Sequence, residues 1–177
     1  LGELGRPPAE RTHAIAGLFK DAKIPCEVSE DLEKSQWEKL VWNIPFNGLG
    51  VAGAAGLQAL ESAGRDMPAK PNSVMPTDQL LGDLLWEEWV RGLMSEIIAA
   101  ANAKGLAVDA GLEEQMVNYT RDMGEYCAST LVDFELGQPL EMESMFLEPL
   151  RQARATGVAI PRLEALCAVL GKLDARS

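Results

Sequence analysis

Beyond residue 28, every apolar run in this sequence recurs at helical rather than strand spacing, and this periodicity bounds the fold more tightly than any other feature. The clearest case is "TDQLLGDLLWEEWVRGLMSEIIAAANAKG", where Leu81, Leu84, Leu85, Trp89, Leu93, Ile97 and Ile98 form one wide stripe and Gly105 supplies the stop. The spacing predicts a single helix over 77–104. Ile15, Leu18 and Phe19 predict a helix with Pro8 in its first turn and an end near Ala22. Ser29 is placed to cap a helix through "DLEKSQWEKLVWN", with Trp37, Leu40, Val41 and Ile44 on its apolar side, until Pro45 kinks or ends it. Further helices are expected over "AGLEEQMVNYTRDM" behind an Asp109 cap, around "YCASTLVDFEL" up to Gly137, over "SMFLEPLRQARAT" up to Gly157, and from Pro161 through "PRLEALCAVLGKL". The stretch 62–78 carries three prolines and a glycine without apolar period, and predicts a long loop. Strand-like material is confined to "LGEL" (1–4) and "IPCEV" (24–28). The fold class is therefore mainly α, with a short α/β remnant at the N-terminus.

Composition narrows the function. A net charge of −11 argues against binding nucleic acid or an anionic membrane, because phosphates must be met by clustered Lys and Arg. No run approaches transmembrane length and no signal leader opens the chain, so a cytoplasmic protein is expected. Leu1 stands inside a strand-like run, which predicts a longer parent protein. Cys26, Cys127 and Cys167 are far apart and read as buried free thiols. His13 is the only histidine and reads as a surface residue, so no His-based metal cluster or catalytic triad can be assembled without it.

"NGLGVAGAAG" contains Gly48-x-Gly50-x-x-Gly53, the dinucleotide-binding spacing. That motif needs a preceding strand and an acidic residue about 20 positions later. Here a predicted helix precedes it, and Asn72 and Ser73 stand where the acid belongs. The glycines are read instead as small residues that let a helix pack closely.

Just upstream, Lys39, Asn43 and Asn47 are four residues apart, so each lies about 40° around a helix from the last. From the residues alone, this is either a surface Lys with two hydrogen-bonding Asn residues or one face of a site flanked by Trp37, Trp42 and Phe46. "KLVWNIPFNGL" resembles the K-L-x-x-N-x-x-x-N-x-L signature of the ketopantoate reductase family. "ASTLVDFELGQPLEME" is similar to the family's segment in which a Ser precedes a Glu by twelve residues, as Ser129 precedes Glu141. "LGELGRPPAER" and "GVAIPRLEALCAVL" resemble the stretches that open and close its C-terminal half. The resemblance is weakest over 51–78. Departures occur at Gly48, at Ala55-Gly56-Leu57, at Ala128-Ser129-Thr130 and at Phe146-Leu147. They bear on the substrate more than on the chemistry.

The resemblance implies an NADP-dependent reductase of a 2-oxo acid, ketopantoate to pantoate. An N-terminal Rossmann domain seats the cofactor, and a helical domain of the 6-phosphogluconate dehydrogenase C-terminal type carries the substrate groups. Residues 1–28 are then the tail of that Rossmann domain and 29–177 the substrate-binding and catalytic domain. Lys39 is the implied general acid toward the ketone oxygen, and Glu141 the carboxylate that holds the substrate hydroxyl. Asn43, Asn47 and Ser129 are the implied substrate contacts, with no cofactor contact and no metal ligand in this chain. The expected partners are a small 2-oxo acid and the chain's own Rossmann domain, with room for a homodimer. Alone, the chain is expected to lack reductase activity. A reductase of another oxo acid, and a non-catalytic helical dimerisation or interaction domain, stand as alternatives.

Overall fold

A computed structural model describes residues 1–175 of the 177-residue chain. The order is α1 (Glu10–Asp21), α2 (Leu32–Ala52), α3 (Leu57–Glu61), α4 (Thr77–Gly82), α5 (Leu84–Ala103), α6 (Leu112–Met123), α7 (Ser129–Glu135), a π-helical turn (Met142–Leu147), α8 (Glu148–Ala155) and α9 (Pro161–Asp174). No strand occurs among the described residues. None of the helices there is long and apolar enough to cross a membrane.

α2 is the axis of the assembly. Its second half is buried without a break from Ile44 to Ala52, and α4, α5, α7, α9 and the π-helical turn pack around it. A helix that is apolar on every side can only be stable in the middle of others. This also explains why Pro45 does not end α2, contrary to the sequence expectation. Proline removes one amide from the helical ladder, and the packing on all faces holds the remaining turns in place. The cap differs too. Asp31, not Ser29, accepts the Lys34 amide at 3.0 Å, while the Ser29 hydroxyl donates to the Asp31 carbonyl.

The glycines of "NGLGVAGAAG" serve this packing. A Cβ on Gly48 would lie 2.6 Å from Leu166 and 3.0 Å from Phe146. One on Gly50 would meet Leu131, and one on Gly53 would meet Met75, each at 2.6 Å.

The helix expected over 77–104 is broken. Asp83 is extended (φ −112°, ψ 127°), and its carboxylate caps α5 by accepting the Leu85 and Trp86 amides at 2.9 and 3.2 Å. The break rotates the predicted stripe, leaving Leu84 and Leu85 exposed. The buried face is Trp86, Val90, Leu93, Met94, Ile97 and Ile98 instead. Residues 62–76 lack helix as expected, and the Met75 amide ties them back to the Gly50 carbonyl at 2.8 Å. The single helix expected over 144–156 is divided into the π-helical turn and α8.

The first 28 residues hold α1 between two extended segments. The Leu1 amino group donates to the Glu27 carbonyl at 2.8 Å, and the Ser29 amide donates to the Leu1 carbonyl at 2.7 Å. One residue bonded to both neighbours of its opposite number is the pattern of a parallel pair, although one such pair does not make the strands expected at 1–4 and 24–28. Glu3 locks this segment to α1, accepting from Arg11 Nε at 2.8 Å and Thr12 Oγ1 at 2.6 Å. Those bonds, that from Arg11 foremost, hold the Glu3 carboxyl well below the usual carboxylate range. Of the three free thiols only Cys167 is buried, which pushes it up to about 12. Cys127 is exposed and Cys26 half-buried, unlike the expectation for both.

Candidate active site

A cleft of about 490 Å³ runs between the first half of α2 and the segment from Glu141 through α8, with Leu4 at one edge. α2 contributes Glu33, Gln36, Trp37, Lys39, Leu40 and Asn43. These belong together because positions three and four apart share a helix face. The opposite wall begins at Glu141, just before the π-helical turn, and continues through Ser144, Met145, Glu148, Pro149 and Gln152. In that turn the Glu148 amide donates to the Glu143 carbonyl, one residue further back than an α-helix allows. The wider turn puts Phe146 wholly inside, against the bare face of Gly48, while Ser144 and Met145 line the cleft.

Four ionisable side chains line the cleft: Lys39, Glu33, Glu141 and Glu148. Two are compensated. Glu33 pairs with Lys104 at 2.8 Å. Glu148 accepts from Gln152 at 2.8 Å and from Arg151 at 2.7 Å, and these bonds, in that order, hold its carboxyl below the usual range. Lys39 and Glu141 make no ion pair or side-chain hydrogen bond among the described residues, and both are exposed. An ammonium, a carboxylate and the half-buried Asn43 amide thus share one cleft with the apolar surfaces of Trp37, Leu40 and Met145. Such a set can stabilise charge growing on an oxygen, donate a proton to it and accept a hydrogen bond from a hydroxyl.

The other two predicted site residues lie elsewhere. Asn47 is 3% exposed. Its Nδ2 donates to the Asn43 carbonyl at 3.0 Å and its Oδ1 accepts the Thr130 amide at 3.4 Å. It braces α2 against the start of α7 and does not line the cleft. Ser129 begins α7 on the exposed surface, also outside the cleft. The sequence reading missed Glu33, Gln36, Ser144, Glu148 and Gln152. A signal was present in both walls: Glu141, Met145, Glu148 and Gln152 follow one another at three or four residues, as do Glu33, Gln36, Lys39 and Asn43.

The Gly48-x-Gly50-x-x-Gly53 spacing forms no dinucleotide-binding turn. The only glycine-rich stretch with the right spacing is inside α2 and its C-cap, where neighbouring side chains fill the space a pyrophosphate would need. The described residues also form no group of three or more His, Cys, Asp or Glu able to hold a metal ion.

Comparison with known proteins agrees with this architecture. The profile of a family described as "Ketopantoate reductase PanE/ApbA C terminal" matches residues 74–174. A 2-dehydropantoate 2-reductase of Nostoc sp. is 33% identical over 168 residues, covering 95% of this chain and 46% of that protein. The crystal structure of 2-dehydropantoate 2-reductase from Methylococcus capsulatus superposes with a TM-score of 0.84 at 32% identity, covering 99% of this chain and 50% of that one. The corresponding structure from Geobacter metallireducens gives 0.79 at 36% identity, covering 97% and 51%. The chain spans about half the length of the curated relatives it matches.

Proposed function

Because the chain belongs to the ketopantoate reductase family, matching its C-terminal helical domain, we propose that it is the substrate-side half of a cytoplasmic NADP-dependent reductase that converts a 2-oxo acid, ketopantoate, to its 2-hydroxy acid. The observation that carries this reading is that Lys39 and Glu141 are the two cleft ions left without an ion-pair partner among the described residues. Unpaired ions on facing walls are free to serve a ligand.

In this reading residues 1–28 close a preceding Rossmann domain and residues 29–177 form the substrate domain. NADPH, seated by that preceding domain, supplies hydride to the carbonyl carbon when bound. The residues of this chain handle the rest. The Lys39 ammonium stands at the ketone oxygen, where it offsets the charge that develops and delivers the proton. Asn43 orients the oxo acid from the next turn of α2. Glu141 holds the substrate hydroxyl from the opposite wall, and Trp37, Leu40 and Met145 cover its carbon skeleton. Asn47 acts from beneath, keeping Asn43 and the start of α7 in register.

The test is the Lys39→Met substitution in the longer protein. Loss of a positioned general acid is expected to lower kcat by about 10²–10⁴-fold, with the thermal midpoint unchanged because Lys39 is exposed and unpaired. Wild-type turnover in the variant rejects the assignment. The 177-residue chain alone is expected to show no turnover of ketopantoate with NADPH.

A further inference from the structure

We infer that Lys104, which does not line the cleft, sets its selectivity for anionic substrates by cancelling the charge of Glu33. This rests on the oxo-acid reading and adds to it a residue that acts through another. Lys104 is the C-cap of α5. Its ammonium contacts Glu33 Oε1 at 2.8 Å on α2, donates to Gln152 Oε1 at 2.6 Å on α8, and lies 5.4 Å from the centre of the Trp37 ring. All three partners line the cleft. One cation thus reaches both walls from behind.

The reason lies in the charge of the cleft. Three carboxylates and one ammonium line it, an arrangement that by itself repels a 2-oxo acid. Arg151 pairs with Glu148 and also with Glu143, and Lys39 and Glu141 stand on opposite walls without an ion pair. Glu33 has only Lys104 as a cationic partner among the described residues. With Lys104 in place the charge of Glu33 is cancelled, and an incoming carboxylate meets one fewer uncompensated negative charge. Without it, Glu33 faces the substrate uncompensated. Gln152 extends the same device: its amide oxygen takes Lys104 while its amide nitrogen donates to Glu148 at 2.8 Å, so the two compensated carboxylates are linked through one side chain.

The sign of the effect separates this role from simple bracing. Pyruvate and its neutral amide, pyruvamide, are titrated into the 177-residue chain while the backbone amide resonances of Asn43 and Ser144 are followed. Lys104→Met is expected to weaken pyruvate binding by about two- to fivefold and leave pyruvamide unchanged. Glu33→Gln is expected to tighten pyruvate, and the double variant to return it to the wild-type value. Equal weakening of both probes, or a double variant no better than Lys104→Met, makes Lys104 a brace and overturns the inference. Unchanged pyruvate binding in Lys104→Met overturns it as well. If neither probe binds the wild-type chain, the oxo-acid reading falls and this inference falls with it, an outcome distinct from binding without charge dependence.

Discussion

Glu96 illustrates how one side chain can join two helices. It lies on α5, 8% exposed, and accepts the Arg162 and Leu163 amides of α9 at 3.0 and 2.9 Å. α9 begins at Pro161, and the residue before it, Ile160, has no side chain able to cap. The first amides of a helix need acceptors and favour negative charge, so a carboxylate from another element takes the part of an N-cap. Replacing Glu96 with Ala orphans both amides and is expected to cost about 1–3 kcal/mol; Gln keeps one acceptor and should cost less. Burial raises the Glu96 carboxyl above its ordinary value of 4.5, against the opposing pull of the Leu163 and Arg162 amides. A raised folded value means the native state holds the proton more firmly than the unfolded chain does. Its contribution to stability is thus full below the ordinary value and is lost as pH rises through the folded one. The stability deficit of Glu96→Gln relative to wild type should accordingly be larger at pH about 4 than at pH about 7, measured by urea unfolding. A deficit that grows toward neutral pH contradicts this account.

At the scale of elements, α2 shows what the sequence could reveal and where it could not. A helix through Asn43 follows from spacing alone, and the family signature over 39–49 pointed to Lys39, Asn43 and Asn47, of which the first two line the cleft and the third is buried behind it. The continuation past Pro45 was not legible, because local propensity opposes it and only tertiary burial stabilises it. The break at Asp83 was hidden for the opposite reason. The apolar period runs straight across it, and the deciding interaction is one carboxylate capping its own chain. The π-helical turn left no trace in periodicity, since it inserts one residue into an otherwise regular stripe. The glycines of α2 give the element its prediction. Gly48→Ala puts a methyl against Leu166 and Phe146, both wholly buried. Overpacking of about 1–3 kcal/mol then outweighs a helix-propensity gain of about 1 kcal/mol. Gly171 of α9 has nothing within 4 Å of the same methyl, so Gly171→Ala should stabilise by about 0.5–1 kcal/mol. Denaturant midpoints moving in opposite directions for the two variants are the expected result. Two stabilised variants would mean that α2 is not close-packed at its glycines.

Across the whole molecule, the N-terminal segment is built unlike the rest. Leu1, Leu4, Ile15, Leu18, Phe19 and Ile24 are exposed, whereas only Thr12 and Ala16 of α1 are buried. A helix set between two extended segments that pair in the parallel sense is the crossover unit of a parallel sheet, which is normally covered on both faces. In the proposed longer protein a Rossmann sheet would cover this surface. Leu18, 68% exposed here, discriminates between a covered and an open surface. In the 177-residue chain Leu18→Gln removes no contact and should change stability by less than about 0.5 kcal/mol. In the longer protein the same change puts an unpartnered amide where apolar surface is buried, and should cost about 1–3 kcal/mol. Urea midpoints of both forms, each against its own wild type, measure the difference. Equal effects in the two would mean that α1 keeps its apolar face in solvent, and the proposed division at residue 28 would have to be abandoned.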